Sequence, residues 1–141
     1  MEPLNLDGLP DGALLLVDTA PIIYVIEDHP RLGPRFRPLF AAHAAGRFRL
    51  AVTTLAIAEV LTGPLRAGDE ALARRYRAIL ESWQQIALDA EIAESAARLR
   101  ASLGLKLPDA VQAASALAIN ASALVTHDRD FSRLRAVRVL A

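Results

Sequence analysis

Hydrophobic and polar positions divide this chain into short apolar runs separated by longer amphipathic segments. The apolar runs are mostly rich in branched residues, as buried strands are, and they lie at residues 13–18, 49–53, 85–88, 123–126 and 137–140. Helical spacing of apolar residues predicts helices over residues 21–27, 34–46, 54–62, 69–82, 89–103 and 108–120. The Gly63–Pro64 pair is expected to end the third helix. Strands that alternate with helices of this length predict an α/β protein with a parallel sheet.

The length and composition indicate one domain. With 141 residues, 53% of them hydrophobic, the chain can bury a core, and we expect a single domain over residues 13–141 after a loose lead-in over residues 1–12. The lead-in lacks the basic region of a signal peptide and no apolar run approaches a membrane span, so we expect a cytoplasmic protein without membrane association. The absence of cysteine excludes disulfides, thiolate catalysis and cysteine-ligated metals.

The formal charge of the chain is balanced. Its 16 basic and 16 acidic residues argue against a wholly basic nucleic-acid-binding protein, although a local basic patch is compatible with them. Lys106 is the only lysine, so almost all the positive charge is carried by arginine, whose guanidinium group suits phosphate recognition.

Four acidic residues stand in apolar surroundings. Asp18 ends the first strand, Asp109 follows a helix-opening proline, and Asp128 follows the strand ALVT. Each of these three has a structural explanation: an N-cap for Asp18, a favourable helix dipole for Asp109 and an Asx turn for Asp128. Glu59 lies in TTLAIAEVLTG, a helix that is apolar nearly all round and is therefore expected to be buried. A buried carboxylate must be paired, protonated or bound to a metal.

The positions of these acids in an α/β sheet suggest that they converge. Ligands bind such sheets beyond the carboxyl ends of the strands, where Asp18 and Asp128 stand. If all four acids meet, the site carries a charge near −4 without a cation, and so many close carboxylates cannot all stay ionised. Because the ligands would all be oxygens, the site would select Mg²⁺ or Mn²⁺ over zinc. Asp130 is a weaker candidate, and His127 is expected to be a polar neighbour rather than a general base.

Four segments resemble, in order and spacing, the motifs of the PIN-domain family, and the closest type is its VapC-like toxins. These segments are LLLVDTAPIIYVIE, TTLAIAEVLTGP, LKLPDAVQAASAL and ALVTHDRDF. The resemblance implies a three-layer α/β/α fold with a central, mostly parallel sheet. Motif by motif, it places the family's acidic metal site on Asp18, Glu59, Asp109 and Asp128, with Asp130 as a possible accessory acid. The chain departs from the pattern at Ala20, where serine is frequent, and at His127, where asparagine is frequent.

The resemblance also implies an activity and partners. It predicts a Mg²⁺- or Mn²⁺-dependent endoribonuclease that hydrolyses RNA phosphodiester bonds, acts as the toxin of a type II toxin–antitoxin pair, forms a homodimer and binds a small antitoxin. Residues that could contact RNA are Arg31, Arg35, Arg37, Arg129 and Arg133. Residues that could border an antitoxin groove are Ile22, Ile23, Val25, Ile26, Phe36, Leu39, Phe40, Leu55, Val60 and Leu61. The sheet-facing half of them is expected to be ordinary core, and only part of this surface is expected to stay uncovered.

One alternative of a different class stays open. A PIN-like domain could act as a catalytically silent RNA- or protein-binding module, although such modules usually lose one or more of the acids. Other enzyme classes fit less well: the chain lacks the Asp-x-Asp of haloacid-dehalogenase phosphatases after its first strand, a receiver-domain lysine, a P-loop and a Gly-x-Ser-x-Gly nucleophile motif.

Overall fold

The computed structural model describes residues 2–141, and over this range the chain forms five strands, six α-helices and one 3₁₀-helix. The strands are β1 (Leu14–Val17), β2 (Arg49–Thr53), β3 (Gln84–Ile86), β4 (Ala123–Val125) and β5 (Val139–Leu140). The α-helices are α1 (Thr19–Ile26), α2 (Leu32–Ala44), α3 (Thr54–Arg66), α4 (Glu70–Glu81), α5 (Ala90–Leu103) and α6 (Leu107–Ala118). The 3₁₀-helix spans Arg129–Arg133 and joins β4 to β5. No α-helix within residues 2–141 is both long and apolar enough to cross a membrane.

The five strands form one parallel sheet in the order β3-β2-β1-β4-β5. Strand β1 lies at its centre, where Leu16 pairs with Ala51 on one side and Leu124 on the other. Successive side chains of a strand point to opposite faces, and all four residues of β1 are buried because helices cover both faces. This arrangement explains why the strand is an unbroken apolar run, and it confirms the predicted three-layer α/β/α fold.

Two hydrophobic cores lie on the two faces of the sheet. On one face, Leu15 and Val17 pack with side chains from α1 to α4, including the fully buried Phe36 and Leu39. On the other face, Leu14 and Leu16 pack with α5 and α6. Helix α6 contributes mainly small side chains to this second core, which allows its backbone to lie close to the sheet. Seven consecutive residues of α6, 110–116, are buried.

Helix α3 continues beyond the point where its sequence predicts an end. The expected stop at Gly63–Pro64 is wrong, since the helix runs to Arg66 with Pro64 inside it. Proline removes one helical hydrogen bond, but Ala56, Val60 and Pro64 are spaced four residues apart and form one buried stripe. Packing of that stripe outweighs the local preference. The chain turns away at Gly68, whose φ of +73° is readily available to glycine.

The segment before β1 has neither helix nor strand over residues 2–13, yet it is attached to the domain. The side chains of Leu4 and Leu9 are buried in the core that contains Phe36. The Leu4 N–H also donates a hydrogen bond of 2.9 Å to the Arg35 carbonyl of α2. The expected loose lead-in is therefore held to the domain by two buried leucines.

Candidate metal centre

Asp18, Asp109 and Asp128 lie at the edge of the sheet where its topology changes direction. From the central strand β1, the chain adds β2 on one side and β4 on the other, so the carboxyl ends of β1 and β4 lie side by side at the position where such sheets bind ligands. Asp18 follows β1, and its N–H donates to the Val125 carbonyl of β4 over 2.8 Å. Asp128 follows β4, and α6 begins at the same edge with Asp109 in its first turn.

Three carboxylates form the tightest cluster at this edge. Asp109, Asp128 and Asp130 each offer an oxygen, and these oxygens lie within 4.8 Å of one another. Asp128 also makes the turn expected of it, because its side chain accepts the Asp130 N–H over 2.8 Å and begins the 3₁₀-helix. The structural and functional explanations of Asp128 are thus compatible. Asp130, the weaker candidate from the sequence, lies within the cluster.

Asp109 is the most perturbed acid of the site. Its Oδ2 is buried and has no hydrogen-bond partner among residues 2–141. Burial, followed by the charges of Asp128, Asp18 and Asp130, raises the pKa of the Asp109 carboxyl to about 6, and Lys106 offsets only part of this. The helix dipole does not account for a buried oxygen without a donor. A divalent cation would satisfy that oxygen and compensate the clustered charge, so the residues present fit a magnesium or manganese site.

Asp18 is held by three donors. Its Oδ1 accepts the Thr19 N–H over 2.8 Å and the Gln112 Nε2–H over 2.9 Å, and its Oδ2 accepts the Thr126 hydroxyl over 2.8 Å. The bond from Thr19 is the N-cap interaction predicted for this residue. The other two bonds come from buried side chains of α6 and of the segment after β4, which fix the carboxylate in one orientation.

A buried polar network continues from Asp18 through the sheet. The Gln112 Oε1 accepts the Thr53 hydroxyl over 2.8 Å, and the Thr53 oxygen caps α3 by accepting the Ala56 N–H over 3.0 Å. The Thr126 oxygen accepts the Asp128 N–H over 3.0 Å. Asp18 and Asp128 are therefore positioned by the same network.

Gln112 and Thr126 are site residues that were not predicted from the sequence. For Gln112 there was a usable signal, because it is the longest polar side chain in the alanine-rich segment VQAASAL and stands three residues after Asp109. Residues three apart lie on the same helix face, so an amide at this position faces the site together with Asp109.

We expect Gln112→Leu to reduce both stability and activity. Leucine fills the space but leaves the buried Thr53 hydroxyl without an acceptor and the Asp18 carboxylate with one donor fewer, which costs roughly 1–3 kcal/mol. Loss of such supporting contacts typically lowers metal affinity or activity about 10–100-fold. Thermal unfolding and RNA cleavage measure the two effects. Gln85→Leu, at an exposed position of β3, is the matched control and should change neither by a comparable amount; unchanged activity in Gln112→Leu would contradict the positioning role.

Glu59 does not have the environment predicted for it. The expectation of a buried carboxylate is wrong, because the apolar stripe of α3 that faces the core runs through Ala56 and Val60 and leaves Glu59 exposed. Its Oε1 accepts the Thr19 hydroxyl over 2.8 Å, which places it beside the residue that follows Asp18. It lies outside the three-carboxylate cluster of Asp109. Its assignment as a metal-site residue stays a prediction.

His127 packs against aromatic side chains. Its ring meets Tyr24 edge-on with centroids 5.7 Å apart and Phe36 edge-on with centroids 5.9 Å apart. This packing connects the segment after β4 to α1 and α2, and it gives His127 a structural contribution beside the acids.

The protein is thus a three-layer α/β/α protein with a parallel sheet. Its carboxylates cluster at the switch point of that sheet and form an acidic site suited to a divalent metal. The profile of the PIN domain matches residues 15–137, most of the chain. The protein belongs to the PIN-domain family, a family of nucleases. No curated protein sequence matches the chain.

Solved structures of toxin–antitoxin proteins resemble this chain. A toxin–antitoxin complex from Klebsiella pneumoniae is 27% identical, with a TM-score of 0.70 over 87% of this chain and 94% of that one. VapBC2 from Rickettsia felis, solved with a DNA fragment from its promoter, is 22% identical, with a TM-score of 0.70 over 89% and 96%. VapC20 from Mycobacterium tuberculosis, a toxin that cleaves the sarcin–ricin loop, is 18% identical, with a TM-score of 0.70 over 88% and 98%. The last two likenesses support the fold alone.

Proposed function

We propose that this protein is a Mg²⁺- or Mn²⁺-dependent endoribonuclease that acts in the cytoplasm as the toxin of a type II toxin–antitoxin pair. The observation that carries the proposal is the buried, unpartnered Oδ2 of Asp109 beside Asp128 and Asp130 at the switch point of the sheet. Family membership supports nuclease chemistry, and the Klebsiella pneumoniae likeness supports the toxin–antitoxin setting.

The ligands for the metal would come from Asp18, Asp109 and Asp128, with Glu59 in support and Asp130 as an accessory acid. When bound, the metal would lower the pKa of a water and neutralise charge that develops on the phosphate oxygens. An all-oxygen ligand set of this kind suits Mg²⁺ and Mn²⁺.

The protein's own contribution to this chemistry is orientation. Gln112 and Thr126 hold the two oxygens of Asp18, so that carboxylate needs little rearrangement when a metal and a substrate arrive. The pKa of Asp109, about 6, keeps its carboxyl largely ionised at neutral pH and therefore available as a ligand. The Thr19 hydroxyl donates to Glu59 and holds this carboxylate near Asp18.

Part of the apolar surface proposed for an antitoxin remains accessible. Ile22, Phe36, Leu39 and Val60 are buried core residues, as expected for the sheet-facing part of this set. The remaining residues of that surface are partly exposed; they are Ile23, Val25, Ile26, Phe40, Leu55 and Leu61. Leu55 and Leu61 belong to the same helix as the exposed Glu59, and α1, which carries Ile23, Val25 and Ile26, contacts that helix. These side chains offer an antitoxin apolar contact near Glu59. A homodimer is expected from the resemblance and stays a prediction.

Expression in cells tests the toxin role. Wild-type protein expressed alone should arrest growth, Asp18→Asn should relieve the arrest, and the product of the neighbouring gene should co-elute with the protein in a stoichiometric complex. Harmless expression of a protein that cleaves RNA, with no co-eluting neighbour, would leave a PIN nuclease of another biological role. No RNA cleavage with or without Mg²⁺ would favour the catalytically silent module.

A further inference from the structure

A basic cavity opens directly beside the acid cluster. It has a volume of about 660 Å³ and lies between the 3₁₀-helix and β5, with Asp128 in its wall. This volume is within the range of about 300–1,000 Å³ that is usual for ligand sites. We propose that this cavity binds the sugar–phosphate backbone of single-stranded RNA next to the bond that is cleaved. The proposal rests on the proposed function and names how the same site holds its substrate.

The charge of the lining supports an anionic ligand. Three arginines, Arg129, Arg135 and Arg138, line the cavity, and Asp128 is the only acidic side chain among its described lining residues. Within residues 2–141, none of the three guanidinium groups forms an ion pair with a carboxylate. In a chain without net charge, this is a local excess of positive charge.

Two of these arginines are held in place by neutral acceptors. Arg135 donates to the Ser132 carbonyl over 2.7 Å, and Arg138 donates to the Asp7 carbonyl over 3.1 Å. Backbone carbonyls orient a guanidinium group without neutralising its charge, so its remaining N–H donors stay available for phosphate. Pre-oriented donors also lose less conformational entropy when the ligand binds.

A second, smaller basic cavity lies on the other side of the 3₁₀-helix. It has a volume of about 280 Å³ and is lined by Lys106, Arg129 and Arg133 together with Asp130. The Arg133 guanidinium group is held there by the Leu103 carbonyl. Arg129 borders both cavities, so cations flank the acid cluster on both sides.

This arrangement favours a polyanion over a single small anion. A free phosphate would fill one cavity, whereas a nucleic-acid strand can place successive phosphates in both while it crosses the carboxylates. The larger cavity is also lined by Val137 and Val139, whose partly exposed apolar side chains can contact the ribose of a nucleotide.

Two arginines considered from the sequence already form bonds within the protein. Arg37 pairs with Asp28 over 2.7 Å, and Arg35 donates to the backbone carbonyls of Glu2 and Ala141. The two bonds of Arg35 hold Glu2 and Ala141 near α2. Arg135 and Arg138, which were not predicted from the sequence to contact RNA, line the larger cavity.

The test is a binding measurement with a short fluorescein-labelled single-stranded RNA of mixed sequence, in the presence of Mg²⁺. All proteins carry Asp109→Asn, which prevents cleavage during the titration. The double variant Arg135→Gln/Arg138→Gln should weaken RNA binding about tenfold or more. It should also reduce the slope of log K, where K is the RNA association constant, against log salt concentration by about 1.4, or about 0.7 for each lost phosphate contact. The control pair, Arg74→Gln and Arg75→Gln, makes the same change of charge on exposed residues of α4, a helix that contacts β3 at the opposite edge of the sheet from β5. It should leave both quantities nearly unchanged.

A second variant protects the test against misfolding. Arg129→Gln alters an exposed side chain that borders both cavities, and it should lower the salt slope by about 0.7 with the melting temperature unchanged. Unchanged binding in the folded variants, an equal loss in the control pair, or competition by polyglutamate as effective as that by unlabelled RNA would each overturn the proposal.

Cleavage by the protein with a wild-type acid site separates this proposal from the nuclease assignment. RNA binding that depends on the cavity arginines, without any cleavage, would support RNA binding in the cavity and contradict the nuclease function. If RNA is cleaved but RNA affinity does not depend on Arg135 and Arg138, the proposal that the cavity binds RNA is contradicted and the nuclease function is retained.

Discussion

Asp18→Asn is expected to abolish RNA cleavage while the protein stays folded. Asparagine keeps the shape and one carbonyl oxygen, which can still accept the bonds from Thr19 and Gln112, but it removes the negative charge at the end of β1. Loss of one charged ligand should lower the cleavage rate roughly 10³-fold or more, about 4 kcal/mol of transition-state stabilisation. The rate is measured by single-turnover cleavage of RNA with the protein in excess, and thermal unfolding verifies the fold.

A matched control separates catalysis from helix capping. Asp89 is the N-cap of α5 and accepts the Ile92 N–H over 2.9 Å, just as Asp18 caps α1. Asparagine caps helices about as well as aspartate does, so Asp89→Asn should retain full cleavage. Comparable activity in Asp18→Asn and Asp89→Asn, both folded, would contradict the role given to Asp18.

Asp109→Asn is expected to stabilise the metal-free protein and to remove its response to metal. The ordinary pKa of 3.8 for this carboxyl rises to about 6 in the fold because of burial and the neighbouring acids. Between these values the folded protein binds a proton that the unfolded chain has released. The free energy of unfolding contributed by this group therefore falls as pH rises from about 4 to about 7, and it recovers as pH falls through about 6.

The size of this effect is moderate. For a fully buried group the difference between the two pKa values would correspond to about 3 kcal/mol, but Asp109 is partly exposed and solvent screening reduces this to about 1 kcal/mol. In EDTA at neutral pH the mutant should melt a few degrees higher than wild type, roughly 2–4 °C, with a flatter dependence on pH.

Metal should reverse that order. A ligand that binds only the folded state at about 100 times its Kd adds about 2.7 kcal/mol of stability, so saturating Mg²⁺ or Mn²⁺ should raise the wild-type melting temperature by roughly 5–10 °C. Asp109→Asn should lose most of this rise, whereas Asp89→Asn should keep it. Equal responses of wild type and Asp109→Asn to metal would be incompatible with a cation at this cluster.

The architecture could be predicted from local pattern because both faces of the sheet are covered. Full burial makes β1 a continuous apolar run, and the helices that cover it show the expected periodicity. The end of α3 could not be predicted in this way. The signal of Gly63–Pro64 is local, whereas the burial of Pro64 depends on elements distant in the chain.

The convergence of Asp109 and Asp128 was predictable from the sequence, whereas the environments of Glu59 and Gln112 were not. Asp109 and Asp128 stand at element ends that the sequence marks, so their convergence follows from the topology of a parallel sheet. The exposure of Glu59 depends on which side of α3 meets the core, and a helix with apolar residues on nearly every side does not reveal that side. The role of Gln112 was equally hard to predict, because its two hydrogen-bond partners come from β2 and from the end of β1, which are distant in the sequence.

The chemical nature of the RNA ends produced by the purified protein tests the central claim most directly. If carboxylates hold a metal that activates water, the cleaved RNA should carry 5′-phosphate and 3′-hydroxyl ends. These products should form only when Mg²⁺ or Mn²⁺ is present, and EDTA should prevent their formation. The 3′ ends should then be extendable by a polymerase without prior treatment. Cleavage that continues in EDTA and leaves 2′,3′-cyclic phosphate ends would mean that the ribose 2′-hydroxyl is the nucleophile, and it would contradict a metal centre at Asp18, Asp109 and Asp128.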